Sequence, residues 1–180
     1  MRYWFTSDYH FGHENIIDWS NRPFNSLSEM HETIIKRHNE RVDPEDIVFF
    51  LGDFCFSNNG NGKLGEGTKV KAPEYLEKLN GKFIFIEGNH DKGNGLRTCI
   101  KGIFIKLGGE EIWLTHQPAH ASEMFRLNLV GHVHEKWKKK LMDKYIMVNV
   151  CVDVWDYRPV EIQDILKYVK DELAELPKGL

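Results

Sequence analysis

Short apolar blocks recur along the chain, and each ends on the same kinds of polar residue. Trp4-Phe5-Thr6 runs into Ser7-Asp8-Tyr9-His10, and Ile47-Val48-Phe49-Phe50-Leu51 runs into Gly52-Asp53. Phe83-Ile84-Phe85-Ile86 leads to Gly88-Asn89-His90-Asp91. Ile112-Trp113-Leu114 leads to Thr115-His116, and Leu127-Asn128-Leu129-Val130 to Gly131-His132-Val133-His134. Apolar runs of this length read as buried strands. Polar residues just past them belong to the carboxyl edge of an α/β sheet, where ligand crevices form. Five strand ends therefore each deliver Asp, Asn or His.

The intervening segments supply helices and turns. Ser26 followed by Glu29 is a capping box, and Leu27, Met30, Ile34 and His38 keep helical spacing. A helix from about Leu27 to Glu40 is expected to cover one sheet face, with His31 and His38 simply on the helix face. Ile16-Ile17 predicts one helical turn, and Pro73 to Leu79 a short helix stopped by Asn80-Gly81. Gly108-Gly109 between two apolar segments predicts a hairpin. Leu96 to Gly102 carries only a weak pattern. Tyr145 to Asn149 predicts a strand, and Ile162 to Leu173 a single amphipathic helix. The Gly- and Asn-rich stretch from Ser57 to Lys71 predicts a loop, preferably a surface insertion and alternatively a lid.

With 180 residues, 41% of them apolar, the chain is expected to form one globular α/β domain over 1–180. A net charge of −3 argues against broad, sequence-blind nucleic-acid binding. No apolar run reaches membrane-span length. Cys55, Cys99 and Cys151 are odd in number and scattered, which predicts free thiols in a reducing cytoplasm. Cys151 reads as packing. The sequence leaves the oligomeric state open.

Candidate chemistry lies at the strand ends. In extended chain, residues i and i+2 point the same way, so Asp8-x-His10 and His132-x-His134 can each aim two ligands into one crevice. Asp53, Asn89 and His116 add one each. Two Asp, one Asn and four His suit two divalent ions sharing one carboxylate, because one ion could not use seven ligands and keep an open position. Two such ions bring four positive charges, and the aspartates cancel two. The residual field suits an anionic substrate and a hydroxide formed from metal-bound water near neutral pH. The donor set suits manganese, iron, nickel or zinc, with manganese the first choice.

These blocks, in this order, resemble the calcineurin-like metallophosphoesterases, whose pattern is D-x-H, G-D, G-N-H-[D/E], a lone H, then G-H-x-H. The resemblance runs from Asp8 to His134, and Ser7-Asp8-Tyr9-His10-Phe11-Gly12-His13 and Val152-Asp153-Val154-Trp155 resemble a small bacterial, archaeal and phage branch. It implies two mixed β-sheets packed as a sandwich flanked by helices. It also implies that Asp8, His10 and His134 hold one metal and Asn89, His116 and His132 the other, with Asp53 bridging. His90 would protonate the leaving oxygen or grip the phosphate, and Asp91 would orient His90. The implied activity is phosphodiester or phosphomonoester hydrolysis, by metal-bound hydroxide, on a phosphorylated small molecule, a nucleotide or a nucleic-acid end.

Secondary candidates surround this set. His13, three residues past His10, is close enough in sequence to reach a bound phosphate, and Arg22 is a weaker choice for the same role. The lysines at 136–140 predict a solvated hairpin tip, with a basic lip as the alternative. Phe11, Phe54, Phe56, Trp155 and Tyr157 read as core residues or as platforms for a nucleobase. Two rival functions are weighed. A metal-binding interaction scaffold of the same fold would have lost ligands, and none is lost here. A lactamase-like hydrolase would show H-x-H-x-D-H, which the chain lacks.

Overall fold

The computed structural model describes residues 1–57, 65 and 67–177. The choice between insertion and lid falls mostly on 58–64 and 66, outside the described residues. The strands are β1 (Tyr3–Thr6), β2 (Ile47–Leu51), β3 (Lys82–Ile86), β4 (Gly102–Leu107), β5 (Glu110–Thr115), β6 (Leu127–Val130), β7 (Lys139–Leu141), β8 (Ile146–Asn149) and β9 (Val160–Glu161). The helices are α1 (Asn15–Trp19), α2 (Leu27–Asn39), α3 (Ala72–Leu76), α4 (Ile162–Tyr168) and α5 (Lys170–Glu175).

Two mixed sheets pack face to face. One has the order β3-β2-β1-β9, the other β4-β5-β6-β8-β7. In the first, β1, β2 and β3 are parallel and β9 runs antiparallel at the edge. In the second, β5, β6 and β8 are parallel, with an antiparallel strand on each side. The carboxyl ends of β1, β2, β3, β5 and β6 thus lie along one rim, as their shared polar endings predict.

β2 explains why an uninterrupted apolar run was needed. Phe49 and Leu51 face the core between the sheets, together with Phe5, Ile86, Leu114, Leu129 and Val148. Phe50, between them, faces a second core under the helices, with Tyr9, Met30, Ile34 and Tyr75. A strand buried on both faces has no polar alternation to show. Helices α4 and α5 close the sandwich at the end away from the polar rim. Ile162, Ile165, Val169 and Leu173 join the inter-sheet core, and Leu166 packs against the β4–β5 turn at Gly108.

The predicted strands, hairpin and first helices are present, and two local expectations need correction. The C-terminal helix is two helices, because the backbone departs from helical values at Val169 (φ −117°, ψ 17°) while its side chain stays buried. The lysine run is not a hairpin tip. Lys139 and Lys140, in β7, pair with Val148 and Met147 of β8, and Lys138 places its ammonium 3.6 Å from the centre of the Trp155 ring. His38 lies on the buried face of α2, where its spacing with Leu27, Met30 and Ile34 predicts. It hydrogen-bonds the Tyr9 hydroxyl through Nδ1 (2.7 Å) and the Asn80 carbonyl through Nε2 (2.7 Å). Those partners fix one neutral tautomer, with Nε2 donating and Nδ1 accepting. His31 accepts from the Gly12 N–H at 2.8 Å.

Burial holds both His38 and His31 down to about 4. Between pH 6.5 and 4 the unfolded chain therefore binds protons that the folded chain refuses, so stability falls as the solution is acidified. At about 1.4 kcal/mol per pH unit and site, His38 alone is expected to cost roughly 3 kcal/mol by pH 4. Urea melts with chelator, between pH 7 and 4, measure this. His38→Gln should flatten the slope by close to one proton, and an unchanged slope would refute the assignment.

Candidate metal centre

Five of the seven predicted donors sit on left-handed backbone. Asp8 (φ 58°), His10 (φ 52°), Asp53 (φ 58°), His132 (φ 73°) and His134 (φ 48°) all have positive φ without being glycine. Such conformations cost about 1–3 kcal/mol each and persist where surrounding bonds enforce them. Here the Asp8 N–H donates to the Gly52 carbonyl (3.0 Å) and the His10 N–H to the Asp53 carbonyl (3.1 Å), extending the β1–β2 pairing past the sheet. The premise of extended chain at Asp8-x-His10 and His132-x-His134 is thereby corrected. Turned backbone, not strand alternation, converges each pair.

The glycines ahead of three donors permit this closeness. A Cβ on Gly88 would fall on the Asp53 carboxylate and backbone nitrogen, and one on Gly131 on the Ser7 and Asp8 side chains. One on Gly52 would lie 2.7 Å from the Gly88 Cα.

The donors meet around Asp53. Its Oδ2 lies 3.6 Å from His10 Nε2 and 3.4 Å from His116 Nε2. Asp8 Oδ1 lies 3.9 Å from His10 Nε2 and 4.0 Å from His134 Nε2. Asn89 Oδ1 lies 3.0 Å from His116 Nε2, and the His116 and His132 rings are 5.1 Å apart. Asp8, His10 and Asp53 form one cluster with metal-ligand spacing, and Asp53, His116 and His132 another. All seven predicted donors are thus brought together. Asp8, His10, Asp53 and His116 form a buried floor, while Asn89 and His132 are exposed at the rim.

This arrangement fits metal ions. His10 Nε2 is buried with no hydrogen-bond partner among the described residues, although two carboxylates and other imidazoles surround it. A lone pair kept free in that way is what a cation requires. Burial and the neighbouring His134 push the His10 pKa well down, so its ring stays neutral. Burial would also lower His116, but the hydrogen bond it donates to Asp53 and the charge of Asp8 hold it up at about 9. The same pairing keeps Asp53 below the usual carboxylate range in spite of burial.

Comparison with known proteins agrees with the geometry. The family description "Calcineurin-like phosphoesterase" matches residues 1–156. The chain belongs to this family. It is 38% identical over 173 residues to an uncharacterised protein of Methanocaldococcus jannaschii, covering 91% of this chain and 89% of that one. It is 31% identical over 88 residues to the gene 66 protein of Mycobacterium phage L5, covering 49% and 39%. A crystal structure of an Aquifex aeolicus protein of unknown function superposes with a TM-score of 0.69 at 27% identity, covering 93% of this chain and 98% of that one. The metallophosphoesterase fold expected from the sequence is therefore present, and the chain is a metal-dependent phosphoric ester hydrolase by family.

Within this metallophosphoesterase, several residues depart from their expected roles. Among the described residues, the Asp91 carboxylate makes no hydrogen bond to the His90 ring. That carboxylate accepts from the N–H groups of Asp53 (2.9 Å), Phe54 (2.9 Å) and Gly88 (2.8 Å) and from the Asn94 amide (3.0 Å). Four donors saturate its two oxygens, so Asp91 pins the Asp53 loop to the Gly88 loop. Arg22 is likewise not on the cleft wall. It pairs with both oxygens of Asp153 (2.8 and 2.9 Å) and donates to the Asp8 (2.7 Å) and Tyr9 (3.1 Å) carbonyls. Its fifth N–H meets Met30 Sδ at 3.4 Å, so the buried guanidinium has no donor left for a phosphate. His13 does lie beside the centre, with Nδ1 3.1 Å from His10 Nδ1, but it is 1% exposed.

Asp153 is the residue that ligand spacing could not reveal. Its Oδ2 meets His134 Nδ1 at 3.1 Å, which leaves Nε2 free to face the centre. A carboxylate behind a ligating imidazole fixes its tautomer and raises its basicity. Burial opposes ionisation of Asp153, but the His134 and Arg22 contacts hold it at about 2. Its signal in the sequence was the Val152-Asp153-Val154-Trp155 stretch, which carried resemblance but no role. Cys151 is buried beside it, with its thiol donating to Asp153 Oδ2 at 2.8 Å.

Two cavities of about 200 and 190 Å³ flank the centre. A larger cavity of about 710 Å³, lined by Arg41, Lys138, Trp155 and Tyr168, contains none of the seven donors. Size does not mark the site here; the donor set does. Among the described residues, no helix is long and apolar enough to cross a membrane.

Proposed function

We propose that the chain hydrolyses phosphoesters with two divalent ions that would share the Asp53 carboxylate, the residue common to both donor clusters. Asp8, His10 and His134 would hold one ion, and Asn89, His116 and His132 the other. The observation that carries this reading is the placement of Asp53 Oδ2 between two buried imidazole nitrogens, at 3.6 and 3.4 Å. When bound, the ions neutralise phosphoryl oxygens and bring water to a pKa near about 7, so that hydroxide is available at neutral pH.

The chain's own groups do the remaining work. Asp153 and the Leu51 carbonyl, which meets His116 Nδ1 at 2.6 Å, keep two imidazoles presenting Nε2 inward. The His90 N–H donates to Asp53 Oδ1 (2.9 Å), fixing the His90 backbone next to the bridge. The His90 ring stands 5.4 Å from the His10 ring and is positioned to protonate a departing ester oxygen. The donor set suits manganese, iron, nickel or zinc, and manganese is the first to try. The substrate is a phosphorylated small molecule or nucleotide.

One experiment tests this. Metal-free protein is reconstituted with each of the four ions, its metal content measured, and hydrolysis of chromogenic aryl phosphates followed. Close to two equivalents bound, with turnover, is expected. Less than one equivalent with no turnover for any ion would overturn the proposal and favour a scaffold role.

A further inference from the structure

The two flanking cavities share no lining residue among those described, and they differ in chemistry. The peptide between Asn89 and His90 divides them. Asn89 and His116 open into the first, with Lys92, Lys101, Gln117 and His120 on its walls. His10, His90 and His134 open into the second, together with His13, Trp19 and Lys136. Asp53 Oδ2, between His10 and His116, lies at the junction. A phosphorus atom held there has one lobe on either side.

We infer that the substrate is a phosphodiester bound with a fixed polarity, its departing arm in the Trp19 lobe and its retained arm in the Lys92 lobe. This deepens the phosphoesterase reading above and rests on it. Two lobes of nearly equal volume match two ester arms, whereas a monoester would fill only one. The polarity follows from His90, the proposed acid, which lines the Trp19 lobe and not the other. An acid can protonate only the ester oxygen that lies on its own side.

The lobe chemistry fits those assignments. Trp19, at the end of α1, is 63% exposed although it is a large apolar ring, and it meets the His13 ring edge-on at 5.3 Å. A ring left open beside a reaction centre is a stacking platform for an aryl or nucleobase group. His13, on the same wall, has a buried Nε2 without a hydrogen-bond partner among the described residues. The opposite lobe carries Lys92 and Lys101, the second paired with Glu87 at 2.8 Å. That polar lobe suits an arm that stays attached to the anionic phosphoryl product.

The reaction balances simply. A hydroxide oxygen forms the new bond to phosphorus, and the bond from phosphorus to the oxygen of the Trp19-side arm breaks. That oxygen keeps the electron pair and takes a proton from His90. The products are an alcohol or phenol and a phosphomonoester, and water restores the proton and the hydroxide.

The test uses the manganese-loaded protein and three substrates that release the same p-nitrophenol. These are thymidine 5′-p-nitrophenyl phosphate, methyl p-nitrophenyl phosphate and p-nitrophenyl phosphate. Both diesters should exceed the monoester in kcat/KM by about tenfold or more. Trp19→Ala should raise KM roughly 5- to 30-fold for both diesters alike, since both place the aryl arm on Trp19. An increase confined to the thymidine ester would put the retained arm on Trp19 and overturn the polarity. No increase for either would also overturn it. A better monoester would overturn the diester assignment while leaving the phosphoesterase reading intact. No turnover of any substrate with any of the four ions would instead sink that underlying reading.

Discussion

Asp53→Asn is expected to lower phosphodiester hydrolysis by about a thousandfold or more while leaving the fold intact. The asparagine side chain has the shape of the aspartate it replaces. Its Oδ1 can still accept from the His90 N–H, as Asp53 does at 2.9 Å. What changes is the second oxygen, which becomes an amide nitrogen facing His10 Nε2 and His116 Nε2. An amide nitrogen carries no charge and offers no lone pair to a cation. Two clamped ions contribute several kcal/mol of transition-state charge stabilisation, and each 1.4 kcal/mol is about tenfold in rate. Steady-state kinetics with an aryl diester, paired with metal analysis and circular dichroism, measure the loss. A fall of less than tenfold at full metal content would remove Asp53 from the bridging position.

Asp91→Asn is expected to act on stability rather than on proton transfer. Asp91 is 4% exposed, and its two oxygens accept from three backbone N–H groups and the Asn94 amide. Asparagine keeps one of those oxygens and presents an N–H₂ to the other two donors. Each buried donor left unpaired costs about 1–3 kcal/mol, so the pair should cost roughly 2–4 kcal/mol. For a chain of this size that lowers Tm by roughly 5–15 °C. Melting the chelated protein isolates the effect from metal binding. His90→Asn, at a half-buried position, should leave the chelated Tm within about 2 °C and act on kcat. If Asp91→Asn kept its Tm and lost only kcat, the role of orienting His90 would be restored.

How far the sequence reached can be traced through particular residues. The five strand ends were legible because burial on both faces demands continuous apolar runs, as at Phe49, Phe50 and Leu51. The α2 helix was legible because Ser26 caps it, its hydroxyl accepting from the Glu29 N–H at 3.2 Å. Even there the second half of the capping box differs, since the Glu29 carboxylate accepts from the Asn25 N–H at 2.7 Å. For His38, helical spacing locates the buried face but not what covers it. Here the covering groups are Tyr9, from the β1 loop, and Asn80, 42 residues away.

Arg22 and Asp91 failed for a related reason. A charged residue near a motif reads as a site residue until its partners are known. Arg22 finds Asp153 across 131 positions, and Asp91 finds the Asp53 loop across 38. The sequence by itself determined which residue types stand at the ends of five strands, and hence that metal chemistry suited to an anionic substrate belongs there. Those are properties of each short segment, set by its own periodicity and side chains. Only the tertiary structure decided that turned backbone aims the donors, that glycines let the loops close, and that Arg22, Asp91 and Asp153 brace the ligands instead of meeting substrate. Such choices depend on which distant hydrogen-bond partners the packed sheets bring within 3 Å of one another, and no local pattern encodes that.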